Sequence, residues 1–188
     1  MKSRQTARPM RAGLAGAAAF ALLLAHPLAA FAQFQAHQVK AAYLYKFAPF
    51  IDWPANAFPS PSSPLVLCVA GEDPFGPVLD RTVAGQKIGT HPIQVRRMGR
   101  ADRGAGCHIL YLGGSKAQSV AEGLNSVRGS PVLTVTDAAR PGEDRGVIHF
   151  VARDRNIRFQ IDDEAAARNG LNISSKLLSL AVSVKSRS

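Results

Sequence analysis

Leu65-Val66-Leu67-Cys68-Val69-Ala70, running into Gly71-Glu72-Asp73-Pro74-Phe75-Gly76-Pro77-Val78-Leu79-Asp80-Arg81-Thr82-Val83, decides the fold class of this chain. The first part is short, continuously apolar and contains β-branched residues, which is the pattern of a strand buried on both faces of a sheet. The second part reads as a helix with Asp73 as N-cap, Pro74 at the first helical position and Phe75, Val78, Leu79 and Val83 on one side. A second apolar run, Ile109 to Leu112, and a third, Val132 to Val135, repeat the strand signal. Between them Ser115 can cap a helix carrying Val120, Leu124 and Val127 on one face. Strand, helix and strand in alternation predict an α/β architecture.

Working outward, Ile93-Gln94-Val95-Arg96 alternates like a less buried strand. Val147 to Val151 and Ile157 to Ile161 flank the polar turn Arg153-Asp154-Arg155-Asn156 and predict an antiparallel hairpin. A short helix is expected from Asp162 to Asn169-Gly170, with Asp162, Asp163 and Glu164 complementing the helix dipole at its start. A final helix is expected from Ser174 or Ser175, carrying Leu177, Leu178, Ala181 and Val184 on its apolar face. Before the first strand, Val39, Tyr43, Phe47 and Phe50, widened by Leu44 and Ile51, form a helical stripe. Pro49 removes a donor and clashes with the carbonyl of Tyr45, so this helix should kink or end near Ala48. Pro54 to Pro64 reads as a connection within the domain. The predicted fold is a single α/β domain: a mixed, mostly parallel sheet with helices on both faces and a C-terminal antiparallel hairpin.

The N-terminal stretch belongs to none of this. Lys2, Arg4, Arg8 and Arg11 precede an apolar stretch from Ala12 to Leu24, and Ala30-Phe31-Ala32 offers the small residues of a signal-peptidase site. Residues 1–32 are therefore expected to be a cleaved signal peptide, and 33–188 the folded domain in the bacterial periplasm. The leader holds four of the 23 basic residues, leaving 19 against 13 acidic ones. The remaining surplus is dispersed, without a basic helix stripe or an aromatic-basic interleave, and no nucleic-acid partner is expected.

The two cysteines, Cys68 and Cys107, would in an oxidising compartment form one disulfide, structural or redox-sensitive. No Cys-x-x-Cys pair suggests thiol exchange. Catalytic signatures are thin. There is no Gly-x-Ser-x-Gly elbow, and Gly71 to Gly76 lacks the phosphate-loop spacing and carries carboxylates where an anion would sit. His37, His91, His108 and His149 are scattered without ligand spacing, and His108 reads as a polar residue at a strand start. No metal, cofactor or catalytic residue is expected. A small-ligand binding or transport accessory protein, with its ligand in a cleft at the sheet's edge, is the alternative to a protein-binding role, although no convergent polar cluster marks such a site.

Ala42-Tyr43-Leu44-Tyr45-Lys46-Phe47, then Phe50, then Trp53-Pro54, resembles the opening signature of the YfiR-like family of exported bacterial regulators. Three further pieces follow in order: the Cys68 strand, Cys107 with its apolar strand, and Arg158-Phe159-Gln160-Ile161 leading to Leu171-Asn172-Ile173-Ser174-Ser175-Lys176-Leu177-Leu178. The resemblance spans about residues 38–184. It implies a non-catalytic periplasmic protein, often a dimer, that binds the periplasmic sensor region of an inner-membrane diguanylate cyclase and holds it inactive, with an outer-membrane protein as a possible sequestering partner. It also implies a structural disulfide between Cys68 and Cys107; the second cysteine pair of the best-known member is missing. Tyr45, which lies off the main apolar stripe, its neighbour Lys46, and Trp53, which follows the helix end, are the candidate partner-contact residues. For Trp53 the alternative is packing inside the domain.

Overall fold

The first helix, α1, runs over 33–46 and stops where Pro49 requires it. In this computed structural model, which describes residues 33–137, 144–154 and 156–187, Ala48–Phe50 forms a single 3-10 turn, closed by the Phe50 N–H donating to the Phe47 carbonyl at 3.0 Å. The expected signal peptide lies outside the described residues. Ala41, Leu44, Phe47 and Ala48 make the buried stripe of α1, whereas Val39 is 42% exposed. The expected stripe is thus rotated, because Val39 does not share a helix face with Leu44 and Ala48. Lys40 falls on the inward side and its ammonium is ion-paired with Asp137.

Ten strands follow. The short β1 (Ile51–Asp52) pairs antiparallel with β9 (Asn172–Ile173). The others are β2 (Leu65–Gly71), β3 (Lys87–Ile88), β4 (His91–Met98), β5 (Ile109–Gly114), β6 (Leu133–Asp137), β7 (Ile148–Arg153), β8 (Asn156–Asp162) and β10 (Ser183–Lys185). They build one eight-stranded sheet in the order β10-β8-β7-β6-β5-β2-β4-β3. Its pairs from β7 across to β4 are parallel, while β7–β8 and β3–β4 are antiparallel. The mixed, mostly parallel sheet is therefore the one expected. The hairpin turn is tighter than expected, since Arg153 pairs with Asn156.

Alternation along β2 divides the apolar interior in two. Leu65, Leu67 and Val69 join Ile109, Tyr111, Leu133, Val135, Ile148 and Phe150 in the larger core, covered by α1 and by α2 (Pro77–Val83). Val66, Cys68 and Ala70 join Leu110 and Leu112 in a smaller core under α3 (Val120–Ser126). A strand apolar on both faces needs a layer on each, which is why helices cover both.

Three helix boundaries differ from the sequence reading. Helix α2 begins at Pro77, three residues after the expected Pro74. Asp73 is occupied elsewhere: its Oδ1 accepts from the N–H groups of Phe75 (2.7 Å) and Gly76 (3.1 Å), and its Oδ2 takes the Arg97 Nε–H at 2.7 Å. Arg97 also forks onto Asp80, fastening α2 to β4, and this bonding holds the Asp80 carboxyl below its ordinary pKa. Helix α3 is capped by Ser119, not Ser115. Ser119 and Glu122 form a reciprocal capping box, while Ser115 accepts from Ala117 and Gln118 in the preceding turn. Helix α4 (Asp163–Arg168) starts as expected, with Asp162 accepting from the Ala165 N–H at 2.7 Å. Helix α5 (Ser175–Leu178) is a single turn, so Ala181 and Val184 are not on it. The chain instead extends into β10 beside β8, where the Val182 N–H donates to the Phe159 carbonyl at 2.9 Å. Val182 and Val184 favour the extended form, and the outer edge of β8 offers them hydrogen-bond partners.

After β2 the chain places β4 on one side and then returns to place β5 on the other. Open parallel sheets take small ligands in the crevice outside the carboxyl ends of strands at such a reversal. Here the crevice is closed by backbone. The Glu72 N–H donates to the Gly114 carbonyl at 2.9 Å, and a Cβ on Gly113 would lie 2.0 Å from the Glu72 oxygen. A Cβ on Gly71, which sits at φ +82°, would lie 2.5 Å from the Gly114 oxygen. Only glycine permits this approach.

Cys68, at the centre of β2, is bonded to Cys107, just before β5, with Cα atoms 5.8 Å apart and a sequence separation of 39. Both sulfurs lie in the smaller core. In the chain-entropy view, replacing both cysteines by alanine should cost roughly 4 kcal/mol and lower the melting temperature by about 10 °C. Calorimetry of the oxidised protein and the double variant measures this; equal melting temperatures would mean that the cross-link constrains nothing in the unfolded chain.

Candidate functional site

The three residues singled out as partner contacts are placed by the end of α1 and the chain just beyond it. Tyr45 is half-buried and packs against the larger core, so it is not the free-standing anchor its position off the stripe suggests. Lys46, next to it, is exposed. Beyond the 3-10 turn, β1 is tied down by β9 and by the Ser174 N–H donating to the Phe50 carbonyl at 2.9 Å, and Trp53 emerges from this anchored stretch.

Trp53 lines a cleft of about 330 Å³ with Pro49, Asp52, Phe58, Ile88 and His91. Tyr45 and Lys46 are not in its walls, so the structure does not gather the three candidates into one cleft. The indole is half-buried, edge-on to Phe58 and to His108 with ring centroids 6.1 and 6.4 Å away. Its N–H is buried without an acceptor among the described residues. An unsatisfied buried donor costs about 1–3 kcal/mol, which the aromatic packing around it must offset.

The cleft's back wall is an arrangement that the sequence reading missed. Phe58 lies sandwiched between two imidazoles, 4.0 Å from His91 and 4.2 Å from His108, with the rings close to parallel. His108 is bonded through both nitrogens. Its Nδ1 accepts the Val66 N–H at 3.1 Å, so that nitrogen carries no proton, and its Nε2–H donates to the Ala57 carbonyl at 3.0 Å. His91 donates from Nδ1 to the Ser63 carbonyl at 2.6 Å, and Thr90 donates its hydroxyl to the Pro61 carbonyl. The proline-rich connection over 54–64 is thus seated on β4 and β5 by two histidines, with Phe58 as its apolar pin. Phe58, an isolated aromatic in a Pro/Ser stretch, was the available signal. His108 does stand at a strand start, as expected, but its ring holds the connection.

Burial pushes the His108 pKa below the ordinary value, and the neighbouring His91 lowers it further against the opposing effect of the Ala57 bond. The neutral ring is the one that fits, because a proton on Nδ1 would face the Val66 N–H. A histidine whose pKa is lower folded than unfolded stabilises the fold above the unfolded value of about 6.5. That contribution is lost as pH falls from there through the folded value. Stability of the wild type should therefore fall on acidification below neutrality more steeply than that of His108→Gln. The fluorescence of Trp53, the only tryptophan, should change in the same window. Thermal melts and emission spectra across this range test it; parallel pH profiles for the two proteins would contradict the single-tautomer seat.

Among the described residues no group of three or more His, Cys, Asp or Glu side chains is placed to hold a metal ion. Compared with known proteins, residues 37–182 match the family model described as YfiR/HmsC-like. No curated protein matches the chain.

Proposed function

The chain belongs to the YfiR/HmsC-like family, and from that membership we propose that it is an exported regulator of an inner-membrane diguanylate cyclase. It binds the periplasmic sensor region of the cyclase, holds the enzyme inactive and so lowers cyclic di-GMP. The family match over 37–182 is the observation that carries this reading. The disulfide accords with an oxidising compartment outside the cytoplasm, where the basic and apolar leader would direct the chain. The backbone closure at Gly71-Glu72 and Gly113-Gly114 supports a protein-binding role over the small-ligand alternative, because it fills the place where such a sheet would take a ligand.

A repressor of this kind acts by binding the inactive conformation of its partner more tightly than the active one. The exposed end of α1 with Lys46, and Trp53 beside its aromatic cleft, are the surfaces proposed to supply that difference, in a protein that acts as a homodimer and is itself open to capture by an outer-membrane partner. Because Tyr45 packs against the core, Lys46 is the cleaner probe. Lys46→Glu should weaken binding to the cyclase's sensor region about tenfold with no change in melting temperature, as read by titration calorimetry. Deleting the gene should raise cellular cyclic di-GMP, the wild-type gene should restore it, and the Lys46→Glu gene should restore it only in part. An unchanged nucleotide level on deletion would defeat the proposal.

A further inference from the structure

We propose that the cavity between α3, α4 and the start of β7 binds a phosphate group, held by Arg128, Arg145 and Arg168. The cavity measures about 250 Å³, room for a phosphate and a small organic substituent. The three arginines that line it come from separate parts of the chain: just past the end of α3, the segment leading into β7, and the last turn of α4; Arg145 stands at the border with the neighbouring cavity that holds Gln160, and can serve either. This is the convergent polar cluster that the sequence did not reveal.

Two of these arginines have no carboxylate partner among the described residues. Arg128 donates to the Asn125 amide oxygen at 2.7 Å and Arg145 to the Gln160 amide oxygen at 2.7 Å, both neutral acceptors that leave most of each guanidinium fork available. Arg168 is ion-paired with Glu164 at 2.7 Å. Asp144 also lines the cavity and is the carboxylate an incoming anion would face. Against it stand the two arginines without a carboxylate partner among the described residues, so the cavity favours an anion.

The floor is built and fixed. Asn169, buried, accepts the Gly129 N–H at 3.0 Å and donates to the Val132 carbonyl at 3.0 Å; Thr134, also buried, accepts the Val147 N–H at 3.0 Å. These bonds hold α4, β6 and the approach to β7 in register beneath the arginines, so the seat is preorganised. Arg103 approaches the same corner, donating to the Arg128 carbonyl. Arginine forks match the oxygens of a phosphate in pairs, and three of them approaching from different elements suit a tetrahedral oxyanion better than a planar carboxylate.

The phosphate can be that of a soluble ester or inorganic phosphate, or that of an anionic phospholipid head group. The site shares no residue with the Trp53 cleft, and its test is independent of the cyclase. Full-chain protein recovered after export is titrated calorimetrically with inorganic phosphate and with glycerol 3-phosphate at low salt. It is also sedimented with vesicles of phosphatidylglycerol or of phosphatidylcholine. Saturable binding is expected, weakened about tenfold or more by Arg128→Gln and by Arg145→Gln, and unchanged by Arg153→Gln on the distant hairpin, with melting temperatures preserved. Cosedimentation with phosphatidylglycerol vesicles alone assigns the ligand to a lipid; binding of the soluble probes without it assigns a soluble phosphate. No saturable binding to any probe, or binding that both cavity variants leave intact, overturns the proposal.

Discussion

Two adjacent residues, Cys107 and His108, tie β2, β6 and the 54–64 connection together at the start of β5. Cys107 is covalently joined to β2 through Cys68. His108 grips the same strand twice, donating its backbone N–H to the Val66 carbonyl at 2.9 Å and accepting the Val66 N–H on its ring. Its own carbonyl takes the Leu133 N–H at 2.8 Å, reaching β6, and its Nε2–H reaches the 54–64 connection. Cys107 opens into the smaller core, while the His108 ring lies with Phe58 and Trp53. The start of β5 is thus fixed in register before its own ladder begins. A polar residue that is only 5% exposed is tolerated there because both its ring nitrogens are satisfied.

This anchoring leaves the middle of the sheet with little freedom and little space. The carboxyl ends of β2 and β5, where a comparable enzyme would hold a substrate, meet backbone to backbone through glycines. The surfaces proposed for recognition accordingly lie at the periphery: the cleft beside Trp53, and the arginine-lined cavity between α3 and α4. Neither is lined by the carboxyl ends of β2 and β5. A domain whose sheet is rigid and closed can present shaped, charged surfaces to a partner without opening its core.

Much of this was legible in the chain, and the exceptions share a cause. β2 and β5 were visible because a strand buried on both faces is apolar at every position, and the end of α1 because Pro49 leaves the backbone no choice. Ser119 with Glu122 carried a readable capping-box signal, obscured by Ser115, which satisfies a turn a few residues earlier. Val184 passed for the last residue of a helical stripe because the edge of β8, which recruits it into a strand, is remote in sequence. The same holds for the functional features. That His108 bonds Ala57, that Phe58 stacks between His91 and His108, and that Arg128, Arg145 and Arg168 line one cavity are properties of tertiary approach, and no local period or propensity encodes them.

The strength of the peripheral contacts bears on how a regulator could work. The 54–64 connection is seated by three hydrogen bonds from His108, His91 and Thr90, and by the stacking of Phe58. Each such bond contributes a net of about 0.5–1.5 kcal/mol, and aromatic pairs of this kind about as much again. Their sum is a few kcal/mol, the same order as the roughly 1–3 kcal/mol by which one binding event commonly biases another. By contrast, β2 is held by two parallel ladders, burial on both faces and a covalent bond. A partner that engages Trp53 or the connection beside it can therefore draw on a reorganisation of the periphery while the sheet stays as it is. Within that seat the His108 ring, just before β5, reaches the connection through the Ala57 carbonyl.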